Sequence, residues 1–152
     1  MRALLEAAQR APSGGNLQPW QTHVVLGAAR DRLVATVLKA IGDNPFADES
    51  ELAIYPDRLW EPYRTRRYEV GEAMYALLGV PREDKAARLM HLAKNFELFG
   101  APVGLFFCLD RKLGPPQWSD LGMYMQTVML LAVERGLDTC AQEYWARYPK
   151  TL

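Results

Sequence analysis

The sequence has few of the residues that usually carry covalent or metal chemistry. It contains two cysteines, Cys108 and Cys140, and two histidines, His23 and His91, among 152 residues. The cysteines lack the spacing of a zinc site or a redox-active dithiol, and the histidines are isolated from each other. No nucleophile–base pair, carboxylate dyad or set of metal ligands is apparent. These absences argue against a hydrolase, and we expect neither a metal site nor a catalytic side chain.

The sequence also has no excess of either charge. Its 18 Lys and Arg residues balance its 18 Asp and Glu residues. Nucleic acids and anionic membranes are recognised through basic patches, which this balance does not predict. No apolar run is long enough to span a bilayer, and no signal-peptide pattern is present. We therefore expect a cytoplasmic protein without nucleic-acid or membrane partners, whose two cysteines are buried thiols.

Length and hydrophobic periodicity predict a single domain over residues 1–152. Helices are predicted over 2–11, 29–41, 63–78, 82–98 and 118–135, and strands over 22–26, 103–109 and 139–141. Because helices outnumber strands and do not alternate strictly with them, the predicted fold class is α+β. The strand 22–26 is expected to be buried, and the helix 63–78 to bury its apolar residues, which are Val70, Met74, Leu77 and Leu78.

The segment between the second and third helices is expected to be a long loop. It covers residues 42–62, is polar and proline-containing, and includes Phe46, Tyr55 and Trp60. A loop of this length in a compact domain usually has a function.

The helix predicted over 118–135 is apolar on nearly all sides, which is typical of a helix buried all round. In a domain this small, part of its surface is expected to meet another subunit. Pro115 and Pro116 are expected to break the chain before this helix, and Gly136 to end it.

The run from Ala11 to Trp20 reads Ala-Pro-Ser-Gly-Gly-Asn-Leu-Gln-Pro-Trp. Its prolines fix φ at about −65° and its glycines permit conformations closed to other residues. Ser13, Asn16 and Gln18 offer a hydroxyl and two amides, which both donate and accept hydrogen bonds. Such a loop suits a polar, planar ligand, although an ordinary helix-to-strand turn fits the composition equally well. Trp20 is expected to lie in the core.

This run resembles the flavin-binding loop of the nitroreductase family, whose pattern is approximately A-P-S-x-x-N-x-Q-P-W. Further segments resemble the family in the same order: residues 99–103 (FGAPV), 118–122 (WSDLG) and 136–143 (GLDTCAQE). The resemblance covers nearly the whole sequence. It implies a nitroreductase-like fold, with a central, mostly antiparallel sheet flanked by helices, in a homodimer that binds FMN without a covalent bond.

The resemblance also implies an oxidoreductase. In such enzymes NADH or NADPH delivers hydride to the flavin, which then reduces a nitroaromatic, a quinone or a similar small acceptor in a ping-pong cycle. The cofactor performs the redox chemistry while the protein positions it. Two alternatives remain open. One is a relative on the same fold with another reaction, such as a dehalogenase or a flavin-consuming enzyme, and the other is an inactive truncated fragment that dimerises.

Flavin contacts are carried over from the family residue by residue. In the loop, Ser13 and Asn16 match positions that contact the ribityl chain and ring edges, and Gln18 matches the amide of the family pattern. The backbone at Pro12 and Gly14 is expected to pack close to the isoalloxazine ring.

Three further candidates lie outside the loop. Asn95 corresponds to a polar contact with the pyrimidine side of the flavin, and an exposed helical asparagine is the competing interpretation. Gln142 and Glu143 match the place after the third strand where a backbone N–H faces flavin N5, a donor that stabilises the reduced ring. The side chain of Glu143 fits a surface charge equally well.

A basic cluster lies among aromatic residues in the sequence. Its arginines are Arg64, Arg66 and Arg67, and the aromatic residues are Trp60, Tyr63 and Tyr68. One interpretation is a solvated helix face. The other is an anion clamp for a nicotinamide phosphate or an acidic aromatic substrate.

The sequence departs from the family pattern at both ends. Members begin with an Arg-Ser-x-Arg segment that holds the flavin phosphate, and they continue beyond Pro149 with another basic residue and an arm that joins the partner's sheet. The present sequence opens within the first helix and ends at Leu152. We therefore expect a truncated domain with an uncovered sheet edge and weak binding of the FMN phosphate.

Overall fold

The computed structural model describes residues 1–45, 47–48 and 53–152. In this part of the chain there are five α-helices and two strands. The helices are α1 (Arg2–Ala8), α2 (Gly27–Asp43), α3 (Tyr63–Leu77), α4 (Lys85–Ala93) and α5 (Pro115–Glu134), and the strands are β1 (Gln21–Leu26) and β2 (Val103–Cys108). Short 3-10 helices cover Gly14–Asn16, Lys94–Gly100 and Tyr144–Arg147. The predicted α+β class is confirmed.

The chain forms two compact units. The first contains Met1–Leu26 and Val103–Ala141, and the second contains Gly27–Pro102 and Gln142–Leu152. The expectation of a single domain over 1–152 stays a prediction. Phe46, which belongs to the loop predicted over 42–62, lies outside the described residues.

The first unit packs α1 and α5 against an antiparallel pair of strands. Strand β1 pairs with β2 so that Gln21 faces Cys108 and Leu26 faces Val103. The core of this unit contains Leu4, Ala8, Ala11, Trp20, Tyr124, Val128 and Ala132. Trp20 stacks on Tyr124 with ring centroids 4.6 Å apart and planes 5° apart, which confirms its predicted place in the core.

The second unit is built around aromatic rings. Phe96 is buried and lies 5.7 Å from the ring of Trp145 and 5.3 Å from that of Tyr148. The hydroxyl of Tyr148 donates to the carbonyl oxygen of Asn44 at 3.0 Å, and burial raises the pKa of this phenol. Arg30 donates to the carbonyl oxygens of Glu97 at 2.9 Å and of residue 101 at 2.8 Å, which joins α2 to the Lys94–Gly100 segment.

Several predicted boundaries are wrong. Helix α5 begins at Pro115, because a proline in the first helical turn has no N–H to leave unpaired. Helix α4 ends at Ala93 and continues as a 3-10 segment, in which Leu98 and Phe99 have positive φ. The strand predicted over 139–141 is absent from the described residues, where 137–143 has no regular structure. Gly136 has φ of 69° after the end of α5, as predicted.

Burial differs from the expectations at three places. Helix α3 has no buried residue, and its Leu77 is 91% exposed, because the side-chain contacts between α4 and α3 in the described chain involve Glu72 and Tyr75 and not the apolar face of α3. Strand β1 exposes Val24 and Leu26. Cys108 and Cys140 are free, but they are exposed rather than buried. A periodic apolar pattern predicts a face that can pack, not the partner that covers it.

Helix α5 is buried on one face only. Its buried residues are Asp120, Tyr124, Val128 and Ala132, each one helical turn from the next. Met123, Leu130 and Val133 are exposed on the opposite face. Burial on every side is therefore wrong for the described chain. None of its helices is both long enough and apolar enough to cross a membrane.

Candidate functional site

The loop between α1 and β1 has an unusual backbone. Ser13 is extended, with φ of −149° and ψ of 149°, and a single 3-10 turn follows. Gly15, Asn16 and Gln18 have φ values of 57°, 56° and 46°. This left-handed region is open to glycine and tolerated by asparagine, but it is uncommon for glutamine. The loop therefore needs specific contacts to hold its conformation.

Two of the predicted site residues supply those contacts. The Oγ of Ser13 accepts a hydrogen bond from the backbone N–H of Gln18 at 2.9 Å. The side-chain amide of Gln18 donates to the carbonyl oxygen of Gln9 at 3.2 Å, which ties the loop back to the end of α1. Ser13 and Gln18 thus shape the loop, in addition to any contact with a ligand.

Asn16 is different. Its backbone N–H closes the turn by donating to the carbonyl oxygen of Ser13 at 3.0 Å. Its side chain is exposed and makes no hydrogen bond to any residue that the structure describes. An ideal Cβ at the neighbouring Gly15 would meet no atom within 4 Å, so the space at Gly15 is open. Asn16 can therefore offer its amide to a ligand.

The structure adds a residue that sequence reasoning did not select. Asp120 of α5 is 5% exposed, and its Oδ1 accepts a hydrogen bond from the backbone N–H of Gly14 at 3.1 Å. Its other oxygen, Oδ2, is buried without a partner among residues 1–45, 47–48 and 53–152. The only sequence feature that could have indicated a role for Asp120 is its position in the 118–122 segment, which resembles the family. Asp120 therefore anchors the loop to α5 through the backbone of Gly14.

The remaining predicted residues lie in the second unit, and two of them meet. The side-chain amide of Gln142 donates to Oδ1 of Asn95 at 3.0 Å, and the amide of Asn95 donates to the carbonyl oxygen of Leu92 at 2.8 Å. Asn95 is part-buried, so the interpretation as an exposed helical asparagine is wrong. Both amides are engaged by the protein itself, and the Glu143 side chain is exposed.

The backbone at Gln142 and Glu143 offers donors that their side chains do not. Neither backbone N–H makes a hydrogen bond within the described part of the chain. No third strand precedes these residues there, because 141–143 has no regular structure. The expectation that Gln142 and Glu143 follow a strand is therefore wrong. Their two backbone N–H groups are nevertheless available as donors in the described chain.

The chemistry of this candidate site is neutral. Residues 12–18 contain no charged side chain, and the donors are amides, a hydroxyl and backbone N–H groups. Such groups can orient the carbonyls, ring nitrogens and hydroxyls of a polar ligand. They are poor proton donors or acceptors near neutral pH, so the arrangement is suited to holding a reactive group rather than to acid–base catalysis.

Comparisons with known proteins identify the family of the chain. The model of the nitroreductase family matches residues 1–149. The chain is 39% identical over 150 residues to the nitrobenzene nitroreductase of Ectopseudomonas oleovorans, covering 96% of this chain and 64% of the relative. It is 41% identical over 149 residues to the 4-nitrobenzoate reductase of Pseudomonas putida, covering 98% of this chain and 64% of that protein.

Solved structures show the same likeness. The FMN and NADPH-dependent nitroreductase NfnB from Sphigopyxis sp. strain HMH matches with a TM-score of 0.95 and 49% identity, over 99% of this chain and 67% of that chain. The FMN-dependent nitroreductase NfnB from Mycobacterium smegmatis, in complex with NADPH, matches with a TM-score of 0.90 and 31% identity. This match covers 99% of this chain and 67% of that chain.

The nitroreductase-like fold is thus confirmed for the chain, which spans about 64% of the length of the two curated relatives. Because the family model covers nearly all of its residues, the chain belongs to the nitroreductase family.

Proposed function

We propose that the protein is an FMN-dependent oxidoreductase that takes electrons from NADH or NADPH and reduces nitroaromatic compounds. The observation that carries the proposal is the open, neutral loop 12–18, in which the Asn16 amide has no hydrogen-bond partner among the described residues. The family match supports it, as do neighbouring structures described as FMN- and NADPH-dependent.

The residues present fit a flavin ring and its ribityl chain. The loop offers the neutral donors and acceptors that match ring carbonyls and ribityl hydroxyls, and the space beside Gly15 is open. When bound, the flavin supplies the group that accepts hydride and passes it on. We assign the loop contacts to Pro12, Ser13, Gly14, Asn16 and Gln18.

In the second unit we assign flavin contact to the backbone N–H groups of Gln142 and Glu143. A backbone donor stabilises negative charge on a reduced ring without using a side chain. Asn95 remains a proposed flavin contact. Its side chain also accepts a hydrogen bond from Gln142, which holds the segment around Gln142 in place.

The finer steps of the reaction follow from the resemblance. We propose a ping-pong cycle, in which the oxidised nicotinamide leaves before the acceptor binds, and we include quinones among the acceptors. Parallel lines in double-reciprocal plots of initial rate at several fixed acceptor concentrations would support the cycle, and intersecting lines would contradict it.

A homodimer is the proposed assembly. Met123, Leu130 and Val133 are 39%, 62% and 67% exposed on the face of α5 that is opposite its buried residues. Contiguous exposed apolar surface usually marks an interaction site. We also propose a cytoplasmic location, which the free thiols of Cys108 and Cys140 support, because thiols persist in reducing compartments.

The proposed function is tested by adding FMN to the purified protein and recording the visible absorbance of the protein fraction after gel filtration. NADPH and NADH oxidation is then measured with and without 4-nitrobenzoate. Flavin retention with acceptor-dependent oxidation supports the proposal. Retention followed by loss of the flavin itself supports a flavin-consuming relative, and absence of retained flavin supports an inactive fragment.

A further inference from the structure

We infer that a groove in the second unit binds an aromatic compound that carries an anionic oxygen group, either a carboxylate or a phosphate. The groove has a volume of about 640 Å³ and lies between the 56–59 segment and one face of α3. This volume falls within the roughly 300–1,000 Å³ that is typical of small-molecule sites. The inference deepens the proposed function and rests on it for its biological meaning, because it concerns which acceptors or electron donors the enzyme prefers.

Charges in the groove divide into paired and unpaired groups. Glu72 is neutralised by Arg88, whose guanidinium reaches both carboxylate oxygens at 2.7 and 3.1 Å. Arg64 is neutralised by Glu61, with 2.7 Å between guanidinium nitrogen and carboxylate oxygen. The charges of Glu72 and Arg64 are therefore both compensated by partners outside the lining of the groove.

The lining residues that remain unpaired carry a net positive charge. They are Arg58, Arg67 and Asp57. Within the described residues, no carboxylate forms a salt bridge with Arg58 or Arg67. Two guanidinium groups therefore face one carboxylate, and an anionic ligand would neutralise the excess.

The guanidinium of Arg67 is held in a geometry suited to an anion. Its carbon lies 4.3 Å from the centre of the Tyr55 ring, within the range of a cation–π contact. Contact with the ring face uses no N–H group as a hydrogen-bond donor to an oxygen, and Arg67 donates to no acceptor in the part of the chain described here. A carboxylate or phosphate can accept two parallel hydrogen bonds from the edge of such a guanidinium.

Aromatic walls complete the site. Tyr68 and Tyr75 line the groove, and each is fixed by a neighbouring arginine. The hydroxyl of Tyr68 accepts a hydrogen bond from Arg82 at 2.7 Å, and the guanidinium of Arg88 lies 4.2 Å from the centre of the Tyr75 ring. Fixed rings favour packing against a planar aromatic ligand, since little side-chain freedom is lost on binding.

The three arginines that are neighbours in the sequence have different surroundings in the structure. Arg64 and Arg67 line the groove, whereas Arg66 does not. Arg66 is exposed on the same helix and forms no ion pair with the described residues, which makes it a matched control for Arg67.

The test measures binding of benzoate and of its neutral analogue benzamide to the purified protein by calorimetry at low and high salt. Adenosine 2′-phosphate and adenosine form a second pair, which represents the phosphate end of NADPH. The variants are Arg67→Gln, Arg58→Gln and the control Arg66→Gln, each checked for folding by circular dichroism. None of these ligands requires a bound flavin.

We expect at least one anion to bind more tightly than its neutral analogue, and its affinity to fall with salt. Arg67→Gln should weaken that binding roughly tenfold, since charge-assisted hydrogen bonds are lost, while Arg66→Gln should change it little. A response confined to benzoate identifies an acidic acceptor as the ligand, and one confined to adenosine 2′-phosphate identifies the nicotinamide cofactor.

The inference is overturned if neither anion binds, if each anion binds no better than its neutral analogue, or if Arg66→Gln and Arg67→Gln have equal effects. Anion binding in a protein that retains no flavin would support the groove while the proposed function fails. Acceptor-dependent NADPH oxidation without any effect of Arg67→Gln on anion binding would leave the proposed function intact and overturn the groove.

Discussion

The backbone N–H of Gly14 donates a hydrogen bond to Oδ1 of Asp120, with 3.1 Å between the two atoms. The two residues are 106 positions apart in the sequence, so the bond joins the candidate ligand loop to α5. The other carboxylate oxygen is buried and has no partner among the described residues, which is an unfavourable arrangement in a protein interior. Because the buried oxygen costs free energy, we attribute the presence of Asp120 at this position to its hydrogen bond with the loop.

Replacement of Asp120 should loosen the loop. Asp120→Ala removes the acceptor of the Gly14 N–H, and hydrogen bonds to charged groups contribute about 1.5–3 kcal/mol. We therefore expect faster hydrogen exchange at the Gly14 amide, measured by NMR, and weaker FMN binding. Asp120→Asn is the matched control, because its side-chain oxygen can still accept this bond. Unchanged exchange at Gly14 in Asp120→Ala would show that the loop does not depend on this contact.

The two candidate asparagines should respond differently to removal of their amides. The Asn16 side chain has no hydrogen-bond partner among the described residues, whereas Asn95 bonds to Gln142 and to Leu92. Asn16→Gly removes the amide and still adopts the φ of 56° at this position, so it should weaken FMN binding by roughly 1–3 kcal/mol with little change in thermal stability. Asn95→Ala should lower the melting temperature and affect FMN binding less. Fluorescence titration with FMN and thermal unfolding of both variants decide the matter, and equal FMN affinities would contradict the assignment of Asn16.

The sequence was sufficient for features that depend on local chemistry. Helical periodicity located α1 and α2 to within a few residues, and Pro12, Gly15 and Asn16 identified a tight loop because few other residues adopt its backbone conformation. The class of the fold followed from the number and order of these elements. The family followed from the loop itself, whose residues are uncommon in this combination.

Features that depend on distant partners could not be predicted. The hydrogen bond between Gly14 and Asp120 joins two segments whose separation in the sequence carries no information about their proximity. The exposed face of α3 has the same periodicity as a buried one, and only the fold shows that the described contacts of α3 with α4 lie away from it. Likewise, Arg64 and Arg67 look equivalent in the sequence, although one is paired with Glu61 and the guanidinium of the other lies over a tyrosine ring.

The exposed face of α5 should control the assembly. Leu130 is 62% exposed there, and Leu130→Lys would place a charge inside the proposed dimer interface, where an unpaired charge is very costly. We expect sedimentation to show a dimer for the unchanged protein and a monomer for the variant. Leu77→Lys, at a leucine of α3 that is 91% exposed, is the control and should remain dimeric. A dimeric Leu130→Lys protein would place the interface elsewhere.

The ion pair between Glu72 and Arg88 should make stability depend on pH in the acid range. The hydrogen bond from the Arg88 side chain is the main reason that the pKa of Glu72 lies below its ordinary value of 4.5, and the positive charge of the same guanidinium adds to it. Because the folded protein holds a proton on Glu72 less readily than the unfolded chain does, the pair stabilises the fold fully above 4.5. This contribution is lost as the pH falls through the lowered pKa.

Glu72→Gln removes the titrating group and keeps the shape of the side chain. We expect urea unfolding to show the variant less stable than the unchanged protein at neutral pH, with the difference shrinking as the pH falls well below 4.5. Glu69→Gln is the control, since Glu69 is exposed on the same helix and makes no salt bridge to a described residue. Its difference from the unchanged protein should be small at neutral pH. A Glu72→Gln difference that stays constant across the acid range would mean that Glu72 contributes through its packing and not through its charge.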